Sequence, residues 1–147
     1  MLGPARAILR RISDWSYRRS VRQALALHSR GEARADGLTL LRVRNRLQIQ
    51  WRSRDVHPWD RNLAPERRSA LFHEQLVADT EAAIMRLFQA LPQIDRIDLQ
   101  VLEPHTENVV LAGGVDRSAL MAVKSLPSVR MRLQLLGVNF CALDSLR

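Results

Sequence analysis

Asp55, His57, Asp60 and His73 are the residues of this chain whose types best suit metal chemistry. Two imidazoles and two carboxylates can hold a divalent ion and leave one position open for a water to be activated, the arrangement of a metal-assisted hydrolase or nuclease. Their spacing follows no established motif: Glu74 follows His73, but no second histidine stands at position 77 to complete a His-Glu-x-x-His helix. The simpler expectation for His57-Pro58-Trp59-Asp60 is a rigid turn, in which proline restricts His57, Trp59 packs and Asp60 bonds local amides.

A second constellation is cationic. Arg11, Trp15, Arg18 and Arg22 are separated by steps of four, three and four residues, which on a helix return to nearly the same side. Guanidiniums pair with phosphates in two-pronged fashion, and an indole among them can stack on a base or sit at a headgroup boundary. Arg42, Arg44, Arg46, Arg52 and Arg54 form a further basic set on and around a hairpin. Alternating parity lets Arg52 and Arg54 extend one patch beside Arg42 or Arg44. The plain alternative for both sets is a solvated basic face, or arginines paired with acids of the body such as those from Glu66 to Glu81. On a hairpin, charge also discourages edge-to-edge aggregation.

Other chemistries find little support. Gly113-Gly114-Val115-Asp116 reads as a strand-to-helix junction, where exposed amides can bind an anion. It lacks a GxGxxG or GxxxxGK[ST] pattern, however, and Asp116 would repel phosphate, so a glycine bend is expected there. No serine sits in a GxSxG elbow, no carboxylate pair has glycosidase-like spacing, and Lys124 follows Ala122 and Val123 rather than the acid of a nuclease Asp/Glu-x-Lys element. Cys141 is the only cysteine, which excludes an internal disulfide and a CxxC pair, and its neighbours Phe140 and Ala142 place it on a core strand. A conventional hydrolase is disfavoured and no cofactor is expected.

These residues are carried on 147 positions, the size of one ordinary domain, with 46% hydrophobic and 26% charged residues, far from the composition of disordered chains. Of the 23 basic residues 22 are arginine, which GC-rich coding can produce without functional demand. Their distribution is more telling: residues 1–56 carry 13 arginines against four acids, net +9, whereas residues 57–147 are close to neutral at −1. One part facing a polyanion or an acidic partner, on a neutral body, is the implication. The longest apolar runs fall far short of a membrane span. Arg10 and Arg11 interrupt the apolar stretch that a secretory signal would need, so a cytoplasmic protein is expected.

Periodicity sets out the elements. From Pro4 to about Ser29 the pattern is helical, its apolar stripe moving from Ala5, Ile8, Leu9 and Ile12 to Tyr17, Val21, Ala24 and Leu27, which predicts a bend or two packing partners. A hairpin follows, with Leu47, Ile49 and Trp51 facing inward and Leu41 and Val43 continuing the same parity before a turn at Arg44 to Arg46. Pro65 opens the longest helix, to about Leu91, with Pro92 as its stop. Ile97 to Val101 and Val109 to Ala112 read as strands, the second ended by Gly113 and Gly114. A short helix capped by Asp116 or Ser118 runs through Lys124. Residues 127–136 fit either state, with helix favoured because Gly137 suits a C-cap before a strand at Val138 to Cys141.

The expected fold is α+β: a mainly antiparallel sheet of four or five strands covered by one long helix, with a basic helical segment over residues 1–31 and a body over 38–147 forming one domain overall. The expected function is that of a non-enzymatic binding or adaptor protein presenting its arginine-rich N-terminal helix to nucleic acid or an acidic protein surface. The metal-assisted hydrolase is the rival. Peripheral contact with an anionic membrane, and a homo-oligomer, are compatible with the same charge pattern.

Overall fold

The computed structural model describes residues 18–25 and 38–141. The chain is helical over 18–25 (α1) and continues through β1 (Thr39–Val43), β2 (Arg46–Arg52), a 3-10 helix (Pro58–Asn62), α2 (Pro65–Ala90), β3 (Arg96–Leu102) and β4 (Val109–Asp116). It ends with α3 (Ala119–Val123), α4 (Val129–Leu136) and β5 (Val138–Phe140). The fold is α+β, with a five-stranded sheet in the order β1-β2-β3-β4-β5.

The sheet is mixed rather than antiparallel throughout. β1 and β2, β3 and β4, and β4 and β5 pair antiparallel, but β2 and β3 run parallel, from Arg46 beside Arg96 to Arg52 beside Leu102. The 26-residue α2 causes this, because it carries the chain back along the sheet before β3 begins.

One face of the sheet builds the core. Leu47, Ile49 and Trp51 of β2 are buried with Ile97, Leu99 and Val101 of β3, against Leu76, Ala83, Ile84, Leu87 and Phe88 of α2. These positions recur every second residue on strands and every three to four on the helix, so each element turns a single apolar side to the same interior. Val21 and Ala24 of α1 join that cluster, as do Leu133 and Leu136 of α4.

The end of α2 is closed from a distance. Its last turn holds no basic residue, and its final carbonyls would lack partners. Arg117, just beyond β4, donates to the carbonyls of Phe88 (2.9 Å), Leu91 (2.8 Å) and Ile94 (2.6 Å), with its guanidinium 4.7 Å from the Phe88 ring centre. Positive charge at a helix C-terminus also complements the macrodipole. Residues 129–136 are helical, as Gly137 indicates: it adopts φ 98, and the Ser128 hydroxyl accepts from the Met131 N–H at the other end.

Two local expectations are corrected. The hairpin turn spans only Arg44 and Asn45, so Val43 faces Arg46 and Leu41 faces Gln48. A turn one residue shorter reverses the parity, and Leu41 and Val43 stand exposed on the face away from the helices. The Gly113-Gly114 pair does not end β4, which continues to Asp116. A Cβ on Gly113 would lie 2.1 Å from the Gly137 carbonyl oxygen, and one on Gly114 would meet the Arg96 guanidinium. Close approach, not a bend, requires glycine at these positions.

Candidate functional site

The basic ridge of the N-terminal helix is described from Arg18 onward; Arg11 and Trp15 lie outside the described residues. Arg18 and Arg22 are exposed while Val21 is fully buried and Ala24 nearly so. Four residues at 1.5 Å each place the two arginines about one helical turn apart on the same side. The helix backbone between them is anchored by the core contacts of Val21 and Ala24, so the pair projects from a supported helix.

The hairpin arginines divide. Arg44 is exposed at the turn with φ 56, a left-handed conformation normally left to glycine, and its carbonyl accepts from Arg42 Nε at 3.1 Å. Arg46 pairs with Asp98 at 3.3 Å on the open sheet face, beside Arg96 and Asp116. Arg52, its side chain only 12% exposed, donates to the carbonyls of Glu103 and Thr106 and to the Glu107 carboxylate, thereby holding the β3–β4 connection. Arg54 clamps Asp79 of α2 at 2.6 and 3.1 Å. Arg52 and Arg54 therefore have their guanidiniums committed within the chain. Their acids stand 55 and 25 positions away, and no local spacing announces them.

Asp55, His57, Asp60 and His73 are not gathered into one group, and among the described residues no three His, Cys, Asp or Glu side chains form a metal-binding set. Asp55 instead accepts a hydrogen bond from His105 Nε2 at 2.8 Å, with Arg61 3.8 Å away. His57 Nδ1 accepts from the Trp59 N–H at 3.3 Å. His73 lies against the rings of Phe72 and Phe140, 5.9 and 5.1 Å between centres; burial, aided by the Arg130 charge, pushes its pKa down. His105 sits in the loop between β3 and β4, and sequence alone did not connect it with Asp55.

Asp55 offers a test of this pairing. Partial burial alone would raise its pKa, but the hydrogen bonds from His105 and the Val56 N–H and the charges of His105 and Arg61 outweigh it, holding the carboxyl below its ordinary 3.8. A depressed folded pKa supplies stability above the unfolded value that is lost as pH falls through the folded one. In thermal melts, the Asp55→Asn protein should lose less of its midpoint than the parent as pH drops below about 4. Parallel acid limbs for the two proteins would show that the pair contributes nothing.

Trp59 overturns the expectation that it packs: it is 85% exposed. Its mount is nonetheless well defined. Pro58 starts the 3-10 turn, the Asp60 N–H donates to the His57 carbonyl at 2.8 Å, and the Leu63 N–H donates to Asp60 at 3.2 Å. The His57 ring stands edge-on to the indole at 5.3 Å, and Arg68 of α2 donates to the Arg61 carbonyl at 3.1 Å. Its exposure was not legible in the sequence, because nothing within the turn specifies which tertiary neighbour it would meet.

The glycine pair, lying inside β4, opens no helix, and α3 begins three residues after Asp116 with no side-chain cap from Ser118. Cys141 follows β5, half-buried, and its N–H continues the ladder to the Val110 carbonyl at 2.9 Å. Among the described residues no helix is long and apolar enough to cross a membrane. Comparison with protein-family models, with curated proteins and with solved structures finds no match for this chain.

Proposed function

We propose that this protein is a non-enzymatic binding or adaptor module whose basic N-terminal third meets a polyanion, nucleic acid in the first instance. The observation that carries the proposal is the sidedness of α1: Arg18 and Arg22 face solvent while Val21 and Ala24 are held in the core. Such a helix offers its cations without having to be ordered on binding. Arg44 adds support. Keeping an arginine at φ 56 costs about 1 kcal/mol that glycine would avoid, and strain of this kind is tolerated where the side chain is useful. Arg11 and Trp15 extend the same ridge in the sequence.

The test is a salt series. Each phosphate contact releases condensed counterions, so three contacts from Arg18, Arg22 and Arg44 predict that log affinity for duplex DNA falls with log salt at a slope of about −2.7. Replacing all three with glutamine should remove most of that slope and leave the thermal midpoint nearly unchanged, since all three are exposed. Arg44→Gly alone should weaken binding while raising stability by about 1 kcal/mol. Fluorescence anisotropy that detects no binding of duplex or single-stranded DNA at low salt would refute the nucleic-acid reading and transfer the basic surface to an acidic protein.

A further inference from the structure

Trp59 stands beside a groove that can receive an indole. Between the 3-10 helix and the start of α2 lies a cavity of about 540 Å³ lined by Leu63, Ala70 and Leu71, with Asp60, Arg67 and Glu74 around it. Residues 64–70 are all exposed, so the opening turns of α2 extend beyond the body and leave the groove accessible. Asp60, next to Trp59 in the chain, lines this groove, so knob and groove are close neighbours, as a two-fold contact in which each copy gives what the other accepts requires.

Charge selects the occupant. The chain carries +8 overall, so two copies repel wherever that excess is presented, although at the hairpin Arg46, Arg52 and Arg54 are offset by Asp98, Glu107 and Asp79. Around Trp59 the balance is even: Arg61, Arg67 and Arg68 against Asp60, Glu66 and Glu74. This is a face on which a second copy is not penalised, and its mixed rim is complementary to itself. A polyanion gains nothing there. Tryptophan is also among the residues most often carrying the energy of protein interfaces, whereas a solvated indole at 85% exposure leaves its apolar area unburied.

We propose that the protein forms a two-fold homodimer in which Trp59 of each copy inserts into the Leu63–Ala70–Leu71 groove of the other. The contact is small, and the dimer is correspondingly weak, dissociating at roughly micromolar concentrations. Its knob and groove residues include none of Arg18, Arg22 and Arg44, so it pairs two basic regions without consuming those arginines.

Sedimentation velocity on the full chain, nuclease-treated, tests this. The parent should shift towards twice its 16.8 kDa mass as concentration rises to about 100 µM. Trp59→Ala and Ala70→Trp should both remain monomeric over that range, the first lacking the knob and the second filling the groove; each alters an exposed position, and circular dichroism checks that each is folded. Mixing the two variants restores one knob and one groove, so partial dimerisation should return. A parent that stays monomeric to 500 µM overturns the proposal, as does a Trp59→Ala protein that dimerises like the parent.

Discussion

Phe88→Ala is expected to remove about 3 to 5 kcal/mol, a large share of the 5 to 15 kcal/mol that stabilises a domain of this size. Phe88 is 2% exposed in the interior between α2 and the sheet, where close packing leaves little room to collapse around a missing ring. The loss exceeds the transfer of the ring itself, because Arg117 lies over the aromatic face while its guanidinium holds the last carbonyls of α2. Without that platform the clamp loses its cation–π contact as well. Urea denaturation should show a lower midpoint at unchanged slope, and Phe88→Leu, which refills much of the volume, should lose less than half as much. Trp51→Ala, on the facing strand, should fall in the same range, since that side chain is 8% exposed. A cost below about 1 kcal/mol at both positions would mean that the inner face of the sheet has been misassigned.

Gly113→Ala is the second large effect, expected at about 3 kcal/mol or more, the upper end for overpacking. The added methyl would stand 2.1 Å from the Gly137 carbonyl oxygen and 2.7 Å from the Val138 Cα, both backbone atoms of the turn between α4 and β5. Neither can rotate away. Relief requires the β4–β5 ladder to open at its Gly113–Val138 pair, and β5 is only three residues long. Gly114→Ala is the control. There the obstacles are the ends of the Arg96 and Asp98 side chains, which can swing aside at the expense of their bond to each other and that of Arg96 to Asp116, so a cost under about 1.5 kcal/mol is expected. Hydrogen exchange at the Val138 and Cys141 amides should accelerate in Gly113→Ala and not in Gly114→Ala. Equal stability for the two variants would remove close approach as the reason for the glycine pair.

Whatever depends on a residue and its near neighbours is written in the chain. The order of strands and helices, the inward phase of Leu47, Ile49 and Trp51, the extent of α2 and the helix before Gly137 all follow from periodicities of two and 3.6 and from residues that start or stop a helix. Which side of α1 faces solvent was not legible there: its apolar stripe shifts along the segment, and only the fold buries Val21 and Ala24 and leaves Arg18 and Arg22 exposed.

Tertiary structure decided what depends on partners distant in the chain. A turn of two rather than three residues moved Leu41 and Val43 to the open face, a difference of one position that composition does not encode. The parallel pairing of β2 with β3 came from the return path of α2, and the need for Gly113 came from a backbone 24 positions later. The same holds for the site residues. Arg52 and Arg54 were drawn to Glu107 and Asp79, Asp55 to His105, and Trp59 was left outside, because ion pairs and burial are settled by which surfaces the finished sheet brings together. Local pattern selects an element and its apolar side; only closure of the fold assigns a polar side chain its neighbour.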